Sequence, residues 1–339
     1  MTQGLSNDPA FSTTAQLVED RRARLLSGVR ALHLPQRPWT VVDYPMHLNC
    51  GDAALYLGEE RLATALGSSI ERVLDRESYR SELVRPGTLP VLPPGGNWGG
   101  LYPTHHRLRL RLLEDTRGQD VLQLPQSIEY VDEHHREELR RAVGRHGRLT
   151  LLVRDERSYE LAVRDYDCPV HLLPDVAFAL GPLRRSAPHV PVRTQVRTDK
   201  EGSAPTVQGE VFDWLLAPRT SRAWLTWQAT MKVNRLQRRT SASAVRLATI
   251  RAAHELARVN LRRASGMLSA GEVIVTDRLH GHVLCTLLSI PHVVVNDKFG
   301  KISALRNTWT AVDTNHEFAS AWEDVPEALN RLQERVRSR

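Results

Sequence analysis

The chain has 339 residues, 41% of them hydrophobic and 25% charged, with a formal net charge of +7 in which only Lys200, Lys232, Lys298 and Lys301 are lysines. This length exceeds what one hydrophobic core usually supports, so two domains are expected. No stretch approaches the roughly 20 apolar residues of a membrane span. The N-terminus lacks the basic start and apolar run of a secretory signal, which makes the cytoplasm the expected compartment.

Short β-branched runs alternate with longer helical patterns along the chain. WTVVDYP (39–45) reads as a strand, HLNCGD (47–52) as a loop, and the residues from about Ala53 to Leu66 as a helix. TLPVLPPGG (88–96) is a second strand running into a glycine loop, and a helix follows near 103–115. DVLQLP (120–125), LTLLVRD (149–155) and PVHLLPD (169–175) read as strands, with helices at 132–143 and 156–165 between them. Such alternation predicts parallel strands joined by crossover helices, hence an open α/β sheet. A segment rich in Pro, Arg and Ser, from about Gly181 to Pro191, reads as a linker.

A second alternating unit follows. VPVRTQVRTD (190–199) and SRAWLTW (221–227) read as strands, and Leu247, Ile250, Ala253 and Leu256 recur at helical spacing in a long helix from about Ala242 to Met267. GEVIVTD (271–277) is a strand, RLHGHVLCTLLS (278–289) a helix, PHVVVND (291–297) a strand, and the C-terminal tail an amphipathic helix. The expected division is residues 1–185 and 186–339, with the last helix a candidate to pack back on the first domain. Open α/β sheets bind ligands beyond the carboxyl ends of their strands. The chemically loaded residues lie there: Asn49 to Asp52, Gly95 to Asn97, Arg154, Asp175, Arg197 and Arg278 to His280.

The densest chemistry follows the strand ending at Thr276. Arg278, Leu279, His280 and Gly281 open a helix there, and a helix start attracts anions. Arg278 adds a fork of donors suited to carboxylate or phosphate, and His280 carries a proton near neutral pH. On residue chemistry alone, Arg278 is equally suited to pairing with a nearby carboxylate, and His280 to capping its helix. Gly51, Gly95 and Gly96 suit tight turns, Asp52 a helix cap, Arg154 an ion pair with Asp155, and Asp175 a turn. The three cysteines, Cys50, Cys168 and Cys285, are widely spaced and form no CxxC pair, which argues against a disulfide framework or cysteine-built zinc site. The pairs His105/His106 and His134/His135 offer no fuller ligand set, so no metal site is expected. Between Arg219 and Arg263, eleven Lys or Arg face one acidic residue, Glu255. This is either a solvated helix surface or a contact with a lipid-linked diphosphate or anionic lipid heads.

TDRLHGHVLCTLLSIPHVVVNDKFGK, together with NCGDAALYLGE (49–59), PPGGNWGGLY (93–102), VRDERSYELA (153–162) and LLPDVAF (172–178), resembles the polysaccharide pyruvyl transferase family in order. The resemblance implies a fold similar to GT-B glycosyltransferases, with two Rossmann-like domains facing a cleft. It also implies phosphoenolpyruvate as co-substrate, a cyclic ketal formed on two hydroxyls of one sugar, and no nicotinamide or flavin cofactor. In that setting Arg278 and Lys301 are first candidates to hold the donor, joined by Leu279 at the helix start. Arg154 and Arg197 match further basic positions of the family. His280 is the expected acid, and Asp52 or Asp175 the base for the attacking hydroxyl. Asn49, Gly51, Gly95, Gly96 and Asn97 form the loops expected on the acceptor side. Partners are phosphoenolpyruvate and a sugar acceptor, with a lipid-diphosphate linkage and a peripheral contact at the inner membrane surface left open. Without a helix-turn-helix, zinc-finger or RNP-like motif, nucleic acid is not expected. The competing readings are a GT-B-type glycosyltransferase using a nucleotide sugar and a non-catalytic binder of anionic polysaccharide or nucleic acid.

Overall fold

The computed structural model describes residues 11–84, 86–198 and 210–338. Among those residues the chain divides into two compact units, one within 24–179 and 217–261, the other within 11–23, 180–216 and 262–338.

The first unit is built on a sheet of seven strands: β1 (Trp39–Val42), β2 (Ile70–Leu74), β3 (Leu89–Leu92), β4 (Gly95–Trp98), β5 (Val121–Ile128), β6 (Leu149–Val153) and β7 (Val170–Leu172). Their order is β2-β1-β3-β5-β6-β7, every pairing is parallel, and β4 also pairs with β5. Buried on both faces, β1 and β3 read as near-continuous apolar runs, as parallel strands do. Pro93 and Pro94 lack the N–H that a ladder needs, so the predicted 88–96 strand breaks into β3 and β4. The carbonyl of Pro93 is instead held by the side-chain amides of Gln123 and Gln126, at 2.8 and 2.9 Å. Helices α2 (Cys50–Ala65), α3 (Pro103–Asp115), α4 (Glu133–His146) and α5 (Glu156–Asp165) connect the strands.

The segment 221–227 is not a strand. Ser221 caps a helix, α6 (Arg222–Gln237), by accepting from the backbone N–H of Trp224, and α7 (Ser243–Ser269) follows. Buried Ala223, Thr230, Asn234 and Gln237 recur at helical spacing. Three of those four are polar, so hydrophobic periodicity does not expose the helix. Asn234 donates to Asp75 at 2.8 Å and Gln237 to the Val73 carbonyl at 2.8 Å, which ties α6 to the end of β2.

The second unit carries five parallel strands in the order β12-β11-β10-β8-β9: β8 (Val190–Gln195), β9 (Glu210–Phe212), β10 (Gly271–Thr276), β11 (His292–Val295) and β12 (His316–Ala319). Its helices are α8 (Leu279–Leu287), the short α9 (Lys301–Leu305), which continues as a π-turn over Arg306–Thr310, and α10 (Val325–Arg337). The predicted domain division needs two corrections. The N-terminal residues through Ala23, the first part of α1 (Thr14–Ala31), group with the second unit, where buried Arg21 donates to the Trp309 carbonyl at 2.8 Å. Residues 217–261 group with the first unit. Buried Val325, Ala328 and Leu332 of the last helix join the Val293 and Val295 core of the second unit. No helix among the described residues is long and apolar enough to cross a membrane. Both sheets are Rossmann-like, doubly wound and parallel.

Candidate functional site

In each sheet the chain reverses direction across the sheet at one place, and a doubly wound fold binds ligands outside the carboxyl ends there. In the second unit that switch lies between β8 and β10. The residues just past those ends are Val196 to Thr198 and Asp277 to His280.

Arg278 is the N-cap of α8, with its side chain almost fully buried. Its guanidinium meets Asp213 in a two-pronged ion pair, Nε to Oδ1 at 2.8 Å and Nη2 to Oδ2 at 2.6 Å. Asp213, just past β9, also accepts from the Thr198 backbone N–H and hydroxyl. The residue is thus both carboxylate-paired and at the helix start, and two of the guanidinium's five donors are committed to Asp213. Asp277 was not singled out by the sequence, although it sits inside the TDRLHG run. Burial pushes its carboxyl up to about 6, opposed by a hydrogen bond from the Arg197 N–H at 2.9 Å and by the charges of Arg278 and Arg197. Asp213 carries no sequence signal, since only the β8–β9 pairing brings it to this edge.

Gly281 explains the glycine of the RLHG signature. A Cβ there would overlap Thr276 Oγ1 and Gln195 Oε1, which are themselves hydrogen-bonded at 2.8 Å. That bond couples β8 to β10 beneath the start of α8, and Thr276 Oγ1 also accepts from the Arg278 N–H at 3.1 Å. Gly281→Ala is expected to cost about 1–3 kcal/mol by overpacking and to weaken anion binding as the helix start shifts. Urea unfolding and ligand titration of the variant measure the two effects.

Leu279 opens α8 and His280, half-buried, follows it. His282 points the other way, fully buried, with Nδ1 2.7 Å from His292 Nε2 and Nε2 2.8 Å from the Thr310 hydroxyl. His292 Nδ1 lies 2.8 Å from the Ile290 carbonyl. A carbonyl only accepts, so His292 donates there and receives from His282, which in turn receives from Thr310. Burial lowers both histidines' basicity and favours this neutral chain. Lys301 begins α9 beyond the adjacent strand β11, buried, with its ammonium 5.1 Å above the Phe299 ring. Asp297 secures that helix start by accepting from the Ile302 N–H at 2.7 Å.

In the first unit the switch lies between β1 and β3. Asn49 caps α2 by accepting from the Gly51 N–H at 3.1 Å, so Asn49 is the cap and Asp52 is held from it, through Asn49 Nδ2 to Asp52 Oδ2 at 2.8 Å. Asp52 is partly exposed, with His47 Nε2 at 3.4 Å. Of the three candidate glycines only Gly95 has a positive φ, +142°; Gly96 and Asn97 continue β4. Asn97 Oδ1 accepts from Arg109 at 2.8 Å and from Gln126 at 3.1 Å, which pins the glycine loop to α3.

Asp43, directly after β1, has a left-handed φ of +81°, unfavourable for a residue with a Cβ. It is buried, its Oδ2 is 2.6 Å from His105 Nδ1, and its Oδ1 has no hydrogen-bond partner among the described residues. A carboxylate only accepts, so His105 Nδ1 carries the proton of that hydrogen bond. Arg109, whose pKa burial lowers to about 10, is favoured as a cation by Asp43. Sequence reasoning weighed His105 only as a metal ligand. Its distance from Asp43 in the chain concealed the pair.

Arg154 and Asp175 are placed differently from expectation. Arg154 Nη1 meets Asp175 Oδ2 at 2.7 Å and Nε meets the Ser127 hydroxyl at 3.0 Å. Asp175 Oδ1 accepts from the Ala177 N–H at 2.9 Å. The pair is buried, at 2% and 0% exposure, inside the first unit. The anticipated Arg154–Asp155 pair does not form: Asp155 caps α5 instead. A cavity of about 350 Å³ lined by Arg37, Thr88, Gln119 and Arg148 opens at the amino ends of β3, β5 and β6, the opposite end from all these residues. Among the described residues no group of three His, Cys, Asp or Glu is arranged to hold a metal ion.

Comparison with known proteins bears on this arrangement. The model of the polysaccharide pyruvyl transferase family matches residues 49–298, from the α2 cap to the loop before α9. Pyruvyl transferase 1 of Schizosaccharomyces pombe is 30% identical over 321 residues, covering 87% of this chain and 75% of that one. The putative pyruvyl transferase EpsO of Bacillus subtilis is 24% identical, covering 84% and 89%. A crystal structure of a functionally uncharacterized protein from Klebsiella pneumoniae shares the fold, with a TM-score of 0.58 at 16% identity over 89% of this chain and 99% of that one. The match over residues 49–298 takes in the β8–β10 switch and the RLHG helix start, and with it the chain belongs to the polysaccharide pyruvyl transferase family.

Proposed function

We propose that the protein transfers pyruvate from phosphoenolpyruvate to two hydroxyls of one sugar in a polysaccharide or its lipid-linked precursor, forming a cyclic ketal and releasing phosphate. The observation that carries this reading is the β8–β10 switch, where Arg197, Arg278 and the first turn of α8 meet. Phosphoenolpyruvate presents a carboxylate and a phosphate, and a helix start with arginine forks suits both. Lys301, on the next loop of the same edge, adds a fourth positive group. Arg154, paired inside the other unit, is dropped from the donor set.

The chemistry needs one proton delivered and two removed. His280 protonates the methylene carbon of the enol, which makes C2 electrophilic. A sugar hydroxyl bonds to C2 and gives up its proton to a base. The second hydroxyl then bonds to C2 as the C2–O bond to phosphate breaks, and the departing phosphate carries off the electron pair and the remaining proton. For the base we retain Asp52 and withdraw Asp175, which is sealed.

Calorimetric titration with phosphoenolpyruvate tests the donor assignment. The wild type should bind, and Arg278→Ala should weaken binding at least about tenfold, the loss of a charge-assisted contact. Binding of a nucleotide sugar with no binding of phosphoenolpyruvate would refute the proposal.

A further inference from the structure

Helix α6 has an outward face that neither the fold nor the reaction accounts for. Its inner face, Ala223, Thr230, Asn234 and Gln237, is buried against the first unit. On the opposite side Leu225, Ala229, Lys232 and Leu236 recur at intervals of four, three and four residues and line up as one exposed stripe. Leu225 and Leu236 are 56% and 52% exposed. Arg235 and Arg239 flank the stripe on one side and Arg222 on the other, all exposed. Arg222 is neutralised by Glu255 at 2.8 Å, but no carboxylate among the described residues pairs with Lys232, Arg235 or Arg239. The helix contains no acidic residue. At its first turn Trp224 and Trp227 pack 4.9 Å apart, both half-buried, with the Arg219 guanidinium 5.8 Å from the Trp224 ring.

Leu225 and Leu236 lie along one line among Lys232, Arg235 and Arg239, so this face is apolar and basic at once. A soluble acidic polymer matches the cations but leaves the leucines in water. A second copy meeting this face through a two-fold axis would set Lys232, Arg235 and Arg239 against their own equivalents. An anionic bilayer satisfies both parts, because a basic amphipathic helix lies in the interface with its apolar side in the acyl boundary and its cations at the headgroups. We infer that the exposed face of α6 is a docking surface for a membrane rich in anionic phospholipid. The contact is peripheral, through one helix lying flat, and does not depend on which reaction the enzyme performs.

Co-sedimentation of the full chain with vesicles tests this, using mixed phosphatidylglycerol and phosphatidylcholine against phosphatidylcholine alone. The wild type should bind the mixed vesicles and not the neutral ones. Lys232→Gln/Arg235→Gln should reduce partitioning about fivefold per charge removed. Leu225→Gln/Leu236→Gln should reduce it at least as much, since the leucines supply the buried apolar area. Both variants should keep the wild-type circular dichroism and phosphoenolpyruvate titration. Equal binding to neutral vesicles, or full binding by either variant, would overturn the proposal. So would competition by poly-glutamate together with indifference to the leucines, which points to an acidic polymer. Concentration-dependent dimerisation abolished by the leucine variant would overturn it in favour of a second copy.

Discussion

Replacing His280 with asparagine is expected to lower kcat about 100- to 10,000-fold, the usual contribution of a positioned general acid, while phosphoenolpyruvate still binds. The reason is a division of labour within one turn of helix. In the proposed reaction Arg278, which caps α8 and is held by Asp213, supplies fixed positive charge, and His280, two residues on and half-buried, supplies the proton. Arg278→Ala should therefore act mainly on binding and His280→Asn on the chemical step. Single-turnover phosphate release, measured beside the binding titration, separates the two. An unchanged kcat in His280→Asn would remove it as the proton donor. Asp277 would then be the first alternative, because burial holds its carboxyl up to about 6 at the same strand end.

Asp175→Ala is expected to destabilise the protein by about 3–5 kcal/mol, because it strands the Arg154 charge in the interior. Exposure of 2% and 0% leaves the guanidinium no route to water when the carboxylate is removed. The substitution also deprives the Ala177 N–H of its acceptor at the turn after β7. Replacing both partners with apolar residues, as in Arg154→Met/Asp175→Leu, should be much milder than either single change, since no charge is left unpaired. Urea unfolding of the two single variants and the double variant closes the cycle. A large loss of kcat in Asp175→Asn with stability unchanged would restore the aspartate to the reaction as a base.

Much of the architecture is legible in residue order. Apolar β-branched runs at 39–42, 121–124, 149–153 and 292–295 announce buried parallel strands, and each is one. The RLHG run lies at a strand-to-helix junction as read, and Gly281 is required there by Thr276 and Gln195. Other elements hide because their burial is polar or shared. β2, IERVL, is only partly buried over its first two residues, and α6 turns polar groups inward, so neither has the expected hydrophobic period. The N-terminal residues through Ala23 sit with the C-terminal sheet, and the α6–α7 region through Leu261 with the N-terminal one, which no linear boundary describes.

The residue pattern by itself determined that this protein is a two-sheet parallel α/β chain with an anion-attracting helix start at Arg278, because backbone periodicity and helix ends are local properties. Tertiary structure alone decided which charges meet. Asp213 comes to Arg278 across 65 residues, His105 to Asp43 across 62 and Asp175 to Arg154 across 21, while Arg154 does not take the neighbouring Asp155. The physical reason is that a buried charge takes the partner its sheet edge delivers at hydrogen-bond distance, and strand order, not proximity in sequence, sets that delivery.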